Sequence, residues 1–120
     1  MKSRLAVVGA CALSLSLASV AVASDDDEKE PSPGFSQEYI DDAVNQNAGK
    51  ELWQDQCAHC HGAKAYPGKA PKLKPRRYNA DFVWDRVSNG FRKMPAWKEV
   101  YTKEERMQIV AFIMGKTFSP

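Results

Sequence analysis

The chain has 120 residues, 43% of them hydrophobic and 27% charged, with a formal net charge of +2. That length excludes a multidomain enzyme, and a single long apolar run excludes a polytopic membrane protein. A charge so close to zero gives no bulk signature of a nucleic-acid binder. Three cysteines and two histidines are present, and their placement carries most of the functional information.

Lys2 and Arg4 precede an apolar stretch over 5–23 that closes on Ala21-Val22-Ala23 and is followed by Ser24 and the acidic run Asp25 to Glu28. A charged start, an apolar core and a small-residue site form a Sec-type export signal, with cleavage expected after Ala23 and a periplasmic destination. A retained anchor is the alternative, because the run is long enough to span a bilayer. Ser14, Ser16 and Ser19 dilute it, and the segment before Cys11 is too short for a lipidated cysteine. Cleavage leaves 97 residues, no stable membrane insertion, and Cys57 and Cys60 as the remaining thiols. A domain so small needs a staple beyond its apolar core. Two cysteines three apart cannot close a useful loop, so a bound cofactor is expected.

Residues 24–40 read as a flexible acidic leader, without apolar periodicity through 36, and 41–120 as one domain. A first helix is expected over about 41–57, capped by Asp41 or Asp42, with Val44, Ala48, Leu52 and Trp53 near one face. Gly62, Pro67, Gly68, Pro71 and Pro75 make 62–78 a loop that needs something to wrap around. A second helix is expected over 80–89, with Asn79 as cap, Phe82, Val83, Trp84 and Val87 as apolar face, and Gly90 at its end. A loop over 91–101 contains Met94-Pro95. The last helix starts at the capping box Thr102 to Glu105, presents Met107, Val110 and Met114 with Ile109 and Ile113 beside them, and stops at Gly115. No strand signal appears, so the class is all-α.

Cys57-Ala58-His59-Cys60-His61 is C-x-x-C-H, the c-type haem attachment signature. Cysteines three apart on a helix reach both vinyl groups of one haem, and the next residue, His61, falls under the iron. A thioredoxin-like pair would need a βαβ context, and a zinc site would need a second Cys/His pair. Neither is visible. For the sixth position no distant histidine exists, which leaves methionine, lysine, water or nothing. Met107 and Met114 lie on one helical stripe and read as core. Met94 lies in a loop, and Pro95 biases it to an extended conformation that can aim its sulfur at iron.

With these residues in hand, the sequence resembles the small monohaem class I cytochromes c over roughly 42–116. Gly49 and Trp53 precede the motif, Ala70-Pro71-Lys72-Leu73 and Gly90-(x3)-Met94-Pro95-Ala96 follow it, and Phe112 sits on the last helix. The resemblance implies an all-α fold of three main helices and long loops around one haem c, held covalently by Cys57 and Cys60. It implies His61 and Met94 as iron ligands, a Pro71 carbonyl accepting from His61, and Gly49 and Trp53 packed against Phe112. His/Met ligation favours the ferrous state and leaves no open position for substrate, so the expectation is a one-electron carrier and not an enzyme. Trp53, Phe82, Trp84, Phe91, Trp97 and Phe112 are expected to wall the pocket.

Charge is segregated: residues 24–56 carry net −8 and residues 57–120 carry net +8. Lys64, Lys69, Lys72, Lys74, Arg92 and Lys93, among others, mark a basic face for redox partners in a monomeric carrier, linking a respiratory or dehydrogenase donor to an oxidase or other acceptor. The alternatives are a haem subunit of a larger redox complex, a gas sensor, or a peroxidase-type site with an open distal position.

Overall fold

The computed structural model describes residues 28–118, so the expected export signal, Cys11 and residues 24–27 lie outside the described residues. Among the described residues the regular structure is helical, as an all-α class I cytochrome c fold requires, and no helix is long and apolar enough to cross a membrane. The elements are α1 (Gln37–Asp41), α2 (Ala43–Leu52), a π-helical turn (Trp53–Cys57), α3 (Ala58–His61), a 3-10 turn (Pro75–Arg77), α4 (Ala80–Asn89) and α5 (Lys103–Met114).

The expected first helix over 41–57 is therefore broken into the end of α1, α2 and the π-helical turn, and the helical run continues beyond it as α3. Ser36 caps α1 through the amide of Tyr39, and the backbone breaks at Asp42. Asp42 then caps α2, its Oδ1 accepting from Val44 N at 2.8 Å and Asn45 N at 3.0 Å. Val44 does not join the buried face: it is 74% exposed, because the cap places it in the first turn, away from α5. At α2's far end Gly49 faces the carbonyl of Gln108 so closely that a Cβ would fall inside it. That close approach is what seats α2 across α5.

α4 and α5 keep their expected limits. Asn79 Oδ1 accepts from Phe82 N at 2.8 Å, and Thr102 and Glu105 form the reciprocal capping box. The buried residues of α5 are Arg106 and the unbroken run Ile109 to Ile113, whereas Met107 and Met114 are only half-buried. The helix is covered by α2, α4 and α1 on different sides, so a single stripe is too narrow a description. Beyond Gly115, Phe118 folds back into the core and meets Trp53 at 4.9 Å and Phe112 at 5.2 Å between ring centroids.

Residues 28–40 differ from the expected flexible leader. Trp84 Nε1 donates to Pro31 O at 3.1 Å, and Glu30 N donates to Asn89 Oδ1 at 3.0 Å. The Glu30 carboxylate accepts from the guanidinium of Arg106, a buried side chain that also donates to Ser88 Oγ at 2.7 Å and stacks 4.7 Å over Trp84. Phe35 packs on Trp84, and Ile40 is buried. A buried guanidinium needs a counter-charge and filled hydrogen-bond sites. The leader supplies the counter-charge and one acceptor, Ser88 and the Thr102 carbonyl the others, and so the leader lies as a strap across α4 and α5.

Candidate haem site

The π-helical turn Trp53–Cys57 gives way to α3, which carries Ala58 to His61. Such widened turns are frequent at functional sites. The turn buries Cys57 and leaves Cys60 exposed, and both thiols are free. Burial pushes the Cys57 thiol up to about 12. Trp53 buttresses the motif: its ring lies 5.4 Å from that of His61 and 6.1 Å from Phe112, and its Nε1 donates to Gly62 O at 3.1 Å. The resemblance implied this Gly49–Trp53–Phe112 grouping, and the structure assembles it.

Gly62, at φ +86, turns the chain sharply, and Gly68 lets the loop back onto Cys60. The loop is pinned there by Ala70 N donating to Cys60 O at 2.8 Å and Leu73 N donating to Ala65 O at 3.1 Å. Ala65 and Pro75 are buried, so loop 62–78 wraps the motif as expected. Pro71 is exposed, and His61 Nδ1 is buried without a hydrogen-bond partner, so no bond joins the Pro71 carbonyl to it here. Burial also lowers the pKa of His61, which favours the neutral imidazole that an iron ligand must be.

Met94 sits at the end of a tight turn. Phe91 and Met94 exchange backbone bonds of 3.0 Å in both directions, and Gly90, at φ +73, has no room for a Cβ, which would lie 2.7 Å from Met94 O. Trp97 N donates to Val87 O at 3.0 Å, hanging the Met94 loop from the end of α4. The half-buried Met94 packs against the cluster that holds Cys57, Trp53 and Tyr101. Burial first, then the nearby carboxylate of Asp55, push the Tyr101 hydroxyl up to about 12.

These residues fit a covalently held haem: two thiols three apart, a histidine directly after them whose burial favours the uncharged form, and a thioether packed on the same apolar cluster. The expected aromatic wall is partly wrong. Phe82 and Phe91 are 42% and 48% exposed, and Trp84 serves the strap side through Phe35 and Arg106. Sequence reading also missed Phe118, Tyr101 and Arg106. Phe118 was discoverable as a lone aromatic just past the last helix. Arg106 was not, because a charged residue in a helix reads as surface.

A family model described as cytochrome c oxidase, cbb3-type, subunit III matches residues 44–113. The chain belongs to this family of c-type cytochromes. It is 36% identical over 73 residues to the 4-cresol dehydrogenase [hydroxylating] cytochrome c subunit of Pseudomonas putida, covering 61% of this chain and 63% of that protein. The chain thus spans somewhat less than two thirds of that relative's length. It is 32% identical over 82 residues to cytochrome c6 of Anabaena variabilis, covering 62% of this chain and 92% of that protein. Family membership implies covalent haem c and electron transfer.

Proposed function

We propose that the chain is an exported, monomeric one-electron carrier with a single haem c, attached through Cys57 and Cys60 and ligated by His61 and Met94. The observation that carries this reading is the pairing of the C-x-x-C-H helix with a pinned Met94 loop on one apolar cluster. Haem c, when bound, supplies a one-electron ferric/ferrous couple. The protein's own residues do the rest. Trp53 and the Gly62 carbonyl fix the motif, and burial favours an uncharged His61. Gly90 and the Phe91–Met94 pairing hold the thioether in place, so little has to rearrange when an electron moves. The cluster around Cys57 keeps water away and disfavours extra positive charge at the centre.

The basic side chains at Lys64, Lys69, Lys72, Lys74, Arg92 and Lys93 favour approach by acidic partners, with rates that fall as salt rises. The donor is a respiratory or dehydrogenase complex and the acceptor an oxidase or similar protein. A second reading, a haem subunit of a larger redox enzyme, is favoured by one observation: a relative is itself named as a dehydrogenase cytochrome c subunit.

The test is to export the full chain in a host that matures c-type cytochromes and to analyse the periplasmic product. The proposal expects a chain beginning at Ser24, one haem retained on a denaturing gel, and elution as a monomer. Haem lost on denaturation, or retention in the cytoplasm, would contradict it. Stable co-elution with a partner would favour the subunit reading.

A further inference from the structure

Along the outward side of α4 and the turn that follows, aromatic rings and guanidinium groups alternate in one row. Tyr78 and Phe82 stack with centroids 5.1 Å apart. The Arg86 guanidinium lies 4.7 Å over Phe82 and 4.2 Å over Phe91. Arg92 ends the row, 5.1 Å over Phe91. Phe82, Phe91 and Arg92 are exposed, with Tyr78 and Arg86 half-buried between and beside them; a scattered exposed ring needs no explanation, but rings clustered this way mark an interaction surface.

The backbone under the row points the same way. Arg92 occupies the left-handed region at φ 55, in the two-residue turn between Phe91 and Met94. Glycine or asparagine is at ease there, and arginine is strained. Strain kept at an exposed position points from the outlier to a function. No carboxylate among the described residues pairs with Arg92.

Between 64 and 93 the chain has nine basic and two acidic side chains. Asp81 accepts from the strap's Ser32, whereas Asp85 pairs with Arg86 of the row itself at 2.8 Å and also bonds Asn89. The row therefore offers apolar rings with the uncompensated charge of Arg92 at one end and the Asp85-paired Arg86 between them.

We propose that Phe82, Arg86, Phe91 and Arg92 form the docking centre for a partner protein whose matching surface is an apolar patch ringed by carboxylates. The partner's identity as a redox protein rests on the carrier reading above; the surface does not. Stacking holds each guanidinium plane fixed, so fewer rotamers are frozen on contact than for a free lysine. Arginine and aromatic residues are the usual hot-spot types. The lysines of 64–74 steer from a distance, whereas this row makes the contact. The Phe91–Met94 pairing places the contact on the same hairpin as Met94, the thioether that would hold the iron.

The test titrates the isotope-labelled, haem-loaded chain with a synthetic peptide of tryptophan flanked by aspartate and glutamate, at low salt, followed by NMR. Shifts are expected to centre on 82–92. Arg92→Gln and Phe91→Ala should each weaken binding about tenfold, while Lys69→Gln and Lys72→Gln change it less than about twofold. Arg92→Gly should bind more weakly yet melt higher, because it relieves the turn; a merely structural Arg92 would not separate the two readouts. Shifts centred on 64–74 with the sensitivities reversed, or no shift at all, would overturn the proposal. Binding of phosphatidylglycerol vesicles through the same residues, without peptide binding, would also overturn it in favour of a membrane surface. An absorption spectrum of the same sample separates the two claims. A five-coordinate spectrum with row shifts removes the carrier reading alone, and a six-coordinate spectrum without row shifts removes this inference alone.

Discussion

The two sides of α5 are finished differently. Towards α4, the buried charge of Arg106 meets Glu30, Ser88 and the Trp84 ring, and the Trp84 N–H meets Pro31. On the side of the attachment motif, the buried His61 Nδ1 has no partner, and Cys57 and Cys60 are free thiols. Native proteins rarely leave buried polar atoms unsatisfied without a reason. The polypeptide closes the strap side with its own groups, and on the other side it leaves an imidazole and two thiols open, the groups that a covalently attached haem takes.

The contrast can be broken in graded steps. The largest effect is close to all-or-none: on the haem-free chain at neutral pH, a thiol alkylating reagent should modify the exposed Cys60 and spare the buried Cys57, read by peptide mass. The same burial sets a pH dependence. The folded thiol stays protonated up to about 12 while the unfolded one ionises near 9.0, so haem-free stability should fall as pH rises through that interval. Equal labelling of both thiols, or flat stability there, would sink the burial argument.

Trp53→Ala should cost about 3–5 kcal/mol by chemical denaturation, through cavity formation and loss of the bond to Gly62. Glu30→Gln on the strap side should cost about 2 kcal/mol, because it leaves Arg106 buried without its counter-charge. Adding Arg106→Met should recover much of that loss, and an additive double variant would contradict the coupling. Gly90→Ala should cost about 1–2 kcal/mol, combining a strained φ with a clash at Met94, and should weaken the far-red sulfur-to-iron band of the loaded protein. Thr102→Ala should cost about 1 kcal/mol by removing the α5 cap, with no change in that band.

The fold and the attachment motif were legible because they rest on local chemistry. Asn79, Asp42 and Thr102 cap the helices that their side chains predict, and the spacing of Cys57, Cys60 and His61 is itself the signal. What stayed hidden depends on contacts distant in sequence. Glu30 and Arg106 are 76 residues apart, so neither an acidic leader nor a charged helix residue announces their pairing. The run from Ile109 to Ile113 defeats a stripe reading because α1, α2, α4 and the 3-10 turn all pack on α5. Phe82 and Phe91 look like core by composition, yet they lie on a surface row held by arginines.

The central claim is that His61 and Met94 together close the iron's coordination. Absorption spectra of the exported protein, oxidised and reduced, with and without carbon monoxide, test it most directly when paired with Met94→Ala. The account predicts a low-spin spectrum with the far-red band and no response to carbon monoxide, and in the variant loss of the band with ready carbon monoxide binding. A high-spin spectrum that already shifts with carbon monoxide before Met94 is touched would contradict it.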